Sequence, residues 1–130
     1  MKTSFYLTAF CIISLSIFLI WKKFEIYDHD INISITENVN SYQFSADYNA
    51  ENTGRVQNYI NSSIAPNSLF RSANDDMDLT TTLSDRTSFY IKESPGRLKL
   101  VLDKHKNSFG SYLRIKKMCD GIKNVLANKL

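Results

Sequence analysis

The sequence of 130 residues is poor in the residue types that build specialised scaffolds, with four Gly, two Pro, two Cys, one Trp and two His. So few Gly and Pro exclude a collagen-like or proline-rich chain. Two Cys exclude a small disulfide framework and a four-cysteine zinc site. The remaining composition, 43% hydrophobic and 22% charged, is that of a folded protein, and the length allows one domain.

Neither histidine lies in a catalytic motif, which removes the usual general base at neutral pH. His29 follows the N-terminal apolar run closely, and His105 lies between two lysines in a predicted loop. Cys119 falls on the apolar face of the last predicted helix, where a small buried hydrophobic residue is expected rather than a reactive thiol. We therefore predict no catalytic residues, although a site assembled only in the folded chain remains an alternative.

The sequence also lacks the spacing of common phosphate and metal sites. The four Gly are scattered, whereas phosphate-binding loops need clustered Gly before a helix. Asn74, Asp76, Asp78 and Asp85 match four positions of a calcium loop, but Leu79 stands where that loop needs Gly. We interpret these acids as a solvated loop, and we predict no metal and no cofactor.

One long apolar run stands at the N-terminus, FYLTAFCIISLSIFLIW over residues 5–21, with Lys2 before it and Lys22 after it. As a helix this run would be about 26 Å long, near the lower limit for crossing a hydrocarbon core of about 30 Å. A cleaved signal peptide is the main alternative, but no small-residue cleavage pair follows the run. The sequence predicts an uncleaved membrane anchor over residues 1–23, a linker over 24–30 and one domain over 31–130.

Lysines flank the predicted anchor on both sides, so the positive-inside rule does not decide its orientation. The behaviour of signal anchors favours a single-pass protein whose domain lies on the extracytoplasmic side, periplasmic or external. The membrane itself is therefore the first predicted partner.

Alternation of apolar and polar residues predicts five strands in the domain. The alternating segments are residues 31–35, 42–48, 79–83, 87–91 and 98–102. The first two form a predicted hairpin around a turn at 37–40. Pro95 and Gly96 separate the last two, and since a Pro-Gly pair favours a type II turn, we expect a loop longer than two residues there.

Two segments have the period of an amphipathic helix. The first carries Val56, Tyr59, Ile60 and Ile64 on one face, and the second carries Tyr112, Ile115, Met118, Cys119, Ile122, Val125 and Leu126. No internal repeat is visible in the sequence. The order β-β-α-β-β-β-α predicts an α+β fold, a two-layer sandwich in which two helices cover one face of an antiparallel sheet.

Charge is segregated along the chain. Residues 24–91 hold ten acidic and three basic residues, whereas residues 92–130 hold ten basic and three acidic residues. The two halves could neutralise one another in the fold, or the basic half could bind anionic lipid or another polyanion. The residues predicted to make such a contact are Lys99, Lys104, Lys106, Arg114 and Lys117. Nucleic acid is disfavoured because aromatic residues do not interleave with the cations.

Three functions remain, and each predicts a different structural feature. We predict a non-catalytic interaction module that presents a compact domain to a protein partner at the membrane surface, which an uncovered sheet edge or exposed apolar patch would favour. An anionic-lipid or polyanion binder would instead turn a basic face to its ligand. A small enzyme would hold buried ionisable groups in a pocket.

Overall fold

The computed structural model describes residues 22–28, 31–72 and 75–128. Within these ranges the elements are β1 (Lys22–Asp28), β2 (Ile31–Glu37), β3 (Ser41–Asp47), a 3-10 turn (Ala50–Asn52), α1 (Thr53–Ser63), β4 (Met77–Thr82), β5 (Ser88–Ser94), β6 (Arg97–Asp103) and α2 (Phe109–Leu126). The strands pair antiparallel in the order β1-β2-β3-β6-β5-β4. The α+β class and the antiparallel sheet are thus confirmed.

The first strand differs from the sequence-based prediction, which placed a linker over residues 24–30. Lys22–Asp28 instead pairs with β2, so that Lys22 lies opposite Glu37 and Asp28 opposite Ile31. Phe24 and Ile26 do alternate with polar neighbours, but two apolar residues beside three charges are too short a pattern to separate a strand from a polar linker.

The apolar run of the predicted anchor, residues 5–21, lies outside the described residues, whereas Lys22 and Lys23 at its end belong to β1. No helix in the part of the chain that the structure describes is long and apolar enough to cross a bilayer. The anchor over residues 1–23 therefore stays a prediction.

One face of the sheet is apolar and lies beneath the helices. Its central rows come from β3, β6 and β5, where Phe44 lies opposite Leu100 and Leu100 opposite Ile91. All three are buried in one cluster with α1 and α2, to which Ile60 and Ile115 belong. The other face carries polar residues and faces away from the helices, as period-2 alternation requires.

The fold contains a structural repeat that the sequence does not reveal. Each half of the chain forms three antiparallel strands followed by a helix, and the halves meet where β3 pairs with β6. Ile35 pairs with Phe44 in the first half as Ile91 pairs with Leu100 in the second, and equivalent positions are 56 residues apart. The halves share the order of their elements and the register of these paired strands.

The Pro95–Gly96 turn corrects a second expectation. Ser94 pairs directly with Arg97, so the loop has two residues and is not longer. Gly96 has φ of +79°, a conformation that costs Gly little. Thr53 Oγ1 accepts a hydrogen bond from the Gly96 N–H at 2.9 Å, and the Gly96 carbonyl accepts one from Tyr48. These tertiary hydrogen bonds stabilise a turn that the strands alone would disfavour.

Gly121 marks the closest contact between the two helices. A Cβ atom at this position would overlap the hydroxyl and ring of Tyr59 on α1. Although Ala has a helix propensity about 1 kcal/mol better than Gly, overpacking a well-filled core typically costs about 1–3 kcal/mol. We expect Gly121→Ala to lower the free energy of unfolding, as measured by urea denaturation.

Gly110 provides a matched control on the same helix. A Cβ at Gly110 would meet only Ser108 Oγ, at 3.8 Å, an ordinary contact. Gly110→Ala should therefore leave stability unchanged or increase it. Equal stabilisation by both substitutions would show that Tyr59 does not constrain Gly121.

Candidate functional site

One end of the sheet is defined by the point at which the chain enters it. Lys22, directly after the apolar run, lies in register with Glu37 at the end of β2. The β2–β3 turn at 38–40 and the loop before α2 lie at this same end, because Lys104 N–H donates to the Asn40 carbonyl at 2.9 Å. The β4–β5 turn also reaches this end, since Asn107 hydrogen bonds to Ser88. We call this the proximal end.

A compact polar network stabilises the proximal end. Glu37 Oε1 accepts hydrogen bonds from the Tyr112 hydroxyl and, at 3.0 Å, from Lys104 Nζ. Lys104 Nζ also donates to the Asn38 carbonyl at 2.7 Å and lies 4.7 Å from the centroid of the Tyr112 ring. The network therefore connects α2 to the β2–β3 turn.

The network shifts the pKa values of its two acids in opposite directions. Partial burial acts to raise the pKa of Glu37, but the hydrogen bonds from Tyr112 and Lys104 outweigh it and place that pKa below its usual value. Burial and the bond to Glu37 raise the pKa of Tyr112 to about 12. The carboxylate is thus charged and the phenol neutral at physiological pH, the states in which the hydrogen bond forms.

Two large apolar side chains project from the proximal end into solvent. Val39 in the β2–β3 turn and Phe109 at the start of α2 are each 72% exposed. Leu113, one helical turn beyond Phe109, is 46% exposed. The Phe109 ring packs on one side only, 5.8 Å from the ring of Tyr112.

Charge differs between the two ends of the domain. Exposed Arg86, His105 and Lys106 lie in turns at the proximal end. At the opposite end, exposed Glu51 lies in the 3-10 turn after β3, and exposed Asp75 and Asp76 precede β4. Exposed Asp85 at the proximal end, and exposed Arg55 and Arg97 at the opposite end, depart from this pattern, so the polarity along the strands is partial.

The structure does not bring the five predicted contact residues onto one face. Lys99 lies on the open polar face of the sheet, and the other four lie in the loop before α2 or on its first half. Lys104 is paired with Glu37, and Arg114 pairs with Asp85 at 2.6 Å. Lys106 and Lys117 are exposed.

Ion pairs join the acidic and basic halves of the chain. Arg114–Asp85 and Lys104–Glu37 do so near the proximal end, and Arg97–Asp47 does so across β3 and β6 at 3.0 Å. The halves therefore neutralise one another at these places. Arg97 and Asp47 are well exposed, and such pairs contribute about 0–1 kcal/mol.

Two lysines lie side by side on the open face of the sheet. Lys92 on β5 lies directly opposite Lys99 on β6, and neither forms an ion pair with a described residue. They line a shallow groove of about 350 Å³ with Ser45, Asp47 and Arg97, and Arg97 is paired with Asp47. Like charges at opposed positions destabilise a sheet, but Asp78 on β4 lies opposite Lys92 on its other side and offsets part of this repulsion.

The described sheet has two outer edges, β1 and β4, and no described strand covers either. β1 carries Lys22 and Lys23, which protect an edge strand, so β4 is the less protected edge. Its sequence, Met-Asp-Leu-Thr-Thr-Thr, has no Lys and no Pro, and it pairs with β5 without a bulge. Leu79, at the centre of the strand, is 39% exposed. Charged residues, Pro and bulges are the usual protections of an edge strand, and β4 has only the charge of Asp78 among them.

A buried polar cluster beneath α1 is the described feature that most resembles an enzyme site. Glu93, Gln57 and Tyr48 are buried, and no hydrogen-bond partner reaches the Glu93 oxygens, Gln57 Nε2 or the Tyr48 hydroxyl among the described residues. Burial raises the pKa of Glu93 to about 7, with a further increase from Asp76 and a decrease from Gln57. Because the carboxyl group is enclosed in the core, a substrate cannot reach it.

The residues that the sequence analysis considered for catalysis or metal binding do not come together in one site. His105 lies on the surface, with Nε2 2.7 Å from Asn40 Oδ1. Cys119 is buried, and burial raises the pKa of its thiol, as expected for a hydrophobic role. Asp78 lies at the start of β4 and Asp85 in the turn after its end, so the strand holds the two acids apart. No metal-binding group of three His, Cys, Asp or Glu occurs within the described ranges.

Sequence reasoning missed four features, namely β1, the exposed Phe109, the opposed lysines and the Glu93 cluster. In comparisons with known proteins, no family model, curated protein or solved structure matches the chain. The function of the domain is therefore inferred from its geometry.

Proposed function

We propose that this chain is a membrane-anchored, non-catalytic interaction module that binds an extended segment of a protein partner along β4. The uncovered outer edge of β4 carries this proposal. An exposed strand edge presents unpaired N–H and C=O groups, and a partner strand that adds to it gains main-chain hydrogen bonds.

The side chains around β4 indicate the chemistry of the partner segment. Leu79 and Thr81 would contact alternate residues of an added strand, which favours apolar or β-branched residues there. Asp76 and Asp78 are exposed at the start of β4 and favour a basic residue beside them. The partner is thus an extended segment with alternating apolar residues and a basic residue at one end.

The second part of the proposal is that the domain is anchored to the membrane. Residues 5–21 would tether the domain to the membrane, and the extracytoplasmic orientation favoured by the sequence places it outside the cytoplasm. A tether raises the effective concentration of the domain for partners in the same membrane, so a weak strand-addition site is sufficient.

The test uses the full-length chain in the cells that produce it, with a photoreactive amino acid in place of Thr80. We expect an adduct with one partner, whose cross-linked peptide shows the alternating pattern. In the isolated complex, the backbone amides of β4 should exchange hydrogen more slowly than in the free chain. Asp78→Lys/Thr82→Lys, made in the chain that keeps the photoreactive residue at position 80, should abolish the adduct, because lysines protect an edge strand.

Ser62, exposed on α1, provides the control position. A photoreactive residue there should give no adduct with the same partner, and Asn58→Lys/Ser62→Lys should leave the adduct at position 80 intact. No adduct at position 80, or an adduct that survives the edge lysines, would refute strand addition at β4.

A further inference from the structure

The exposed apolar residues lie at the end of the domain where the predicted anchor would join it. The apolar run ends at residue 21, and β1 begins at Lys22. No linker separates them, so an anchor over residues 5–21 would place the start of β1 at the membrane surface. The proximal end would then be the part of the domain nearest the lipid.

The proximal end has the composition of a surface that contacts lipid headgroups. Val39 and Phe109 are largely exposed at this end, where each would otherwise incur the cost of hydrating apolar surface. Aromatic and aliphatic side chains flanked by cations are typical of protein surfaces at a bilayer interface. Arg86 and Lys106 are exposed cations in turns at the same end.

The polar network makes this surface rigid. Tyr112 packs against Phe109, and Lys104 connects the Tyr112 ring to the Asn38 carbonyl beside Val39. The network thus joins the turn that carries Val39 to the start of the helix that carries Phe109, which reduces the entropy lost on contact. Exposed acids at the opposite end, Glu51, Asp75 and Asp76, disfavour docking of that end on an anionic membrane.

We propose that the proximal end docks on anionic lipid, with Val39 and Phe109 entering the headgroup region and Arg86 and Lys106 contacting lipid phosphates. This inference rests on the proposed anchored function. Of the five cations predicted from the sequence to contact lipid, Lys106 would do so directly, and Lys104 would act by supporting Tyr112. The β4 edge would then stand along the membrane normal, free for a partner.

The test measures the depth of single tryptophans in the full-length chain. Trp21, which is the chain's only tryptophan, is replaced by Phe, and a reporter is introduced as Phe109→Trp or, as the control, Glu51→Trp. Each protein is reconstituted in vesicles of phosphatidylcholine and phosphatidylserine that contain brominated lipid, a quencher of tryptophan emission. We expect the Phe109→Trp reporter to lose most of its emission and to shift to the blue, and the Glu51→Trp reporter to show neither.

Two further measurements separate the possible failures. Flotation of the vesicles reports the anchor, so protein that stays in solution would contradict the proposed function. Protein that floats while the Phe109→Trp emission stays unquenched would overturn the docking inference alone. Val39→Asp/Lys106→Glu should restore the emission of the Phe109→Trp reporter without affecting flotation, whereas the matched pair Asn58→Asp/Ser62→Glu on α1 should not.

Discussion

Ile122→Ala is expected to reduce the free energy of unfolding by about 2–5 kcal/mol, because it leaves a cavity at a fully buried position of α2. Ile122 belongs to the core cluster between α2 and the sheet. A domain of this size has a total stability of about 5–15 kcal/mol, so the loss is a large share of it. The measurement is thermal unfolding of the full-length chain in detergent, followed by circular dichroism.

Leu113→Ala is the matched control for this prediction. Leu113 lies on the same helix but is 46% exposed, and surface substitutions usually change stability by about 0.5 kcal/mol or less. The melting temperature should fall by roughly 10 °C or more for Ile122→Ala and change little for Leu113→Ala. Similar shifts for both variants would contradict the assignment of Ile122 to the core.

The second large effect is a dependence of stability on pH that originates at Glu93. The pKa of this carboxyl is about 7 in the folded chain, compared with 4.5 for an unperturbed Glu. Between these pH values the folded chain retains a proton that the unfolded chain has lost. The stabilisation of the folded chain by protonated Glu93 is therefore fully present below about pH 4.5 and is lost as the pH rises through about 7.

Glu93→Gln removes this titration while keeping a side chain of similar shape. The pKa difference corresponds to about 3 kcal/mol. We expect the variant to match the parent near pH 4 and to exceed its free energy of unfolding by up to about 3 kcal/mol near pH 8. Urea denaturation across this pH range measures the difference.

Glu51→Gln is the control, since Glu51 is exposed in the 3-10 turn. It should leave the pH profile of the parent unchanged. If Glu93→Gln also reproduces the parent profile, the Glu93 carboxyl is not protonated in the folded chain at neutral pH.

Much of the fold could be predicted from local patterns. Alternation over residues 31–35 and 98–102 predicted β2 and β6, and the helical period after residue 108 predicted α2. These predictions are confirmed because each segment buries one face, and burial of one face imposes the period of the element on the sequence. β1 was missed because its apolar pattern is short and lies beside charges.

The candidate surfaces could be predicted only in part. A count of charges found Lys104, Lys106 and Arg114, but not that Glu37 and Asp85 pair with two of them. The predicted turn at 37–40 contains Val39 and so indicated its exposure, whereas no pattern in the sequence separates the exposed Phe109 from the buried apolar residues of α2. Glu93 did have a signal, because it continues the two-residue spacing of Phe89 and Ile91 and so falls on the buried face of β5.

The sequence by itself determined the properties that depend on neighbouring residues: the apolar run at 5–21, the periods of the strands and helices, and the segregation of charge. The tertiary structure decided which separated segments meet. It decided that β3 pairs with β6 at the centre of a repeat, that Pro95–Gly96 closes a two-residue turn, and that Lys22, Val39 and Phe109 share one end. Such contacts depend on which strands pair and in which register. Side-chain periodicity determines the face of the sheet on which a residue lies, but it does not determine the partner strand.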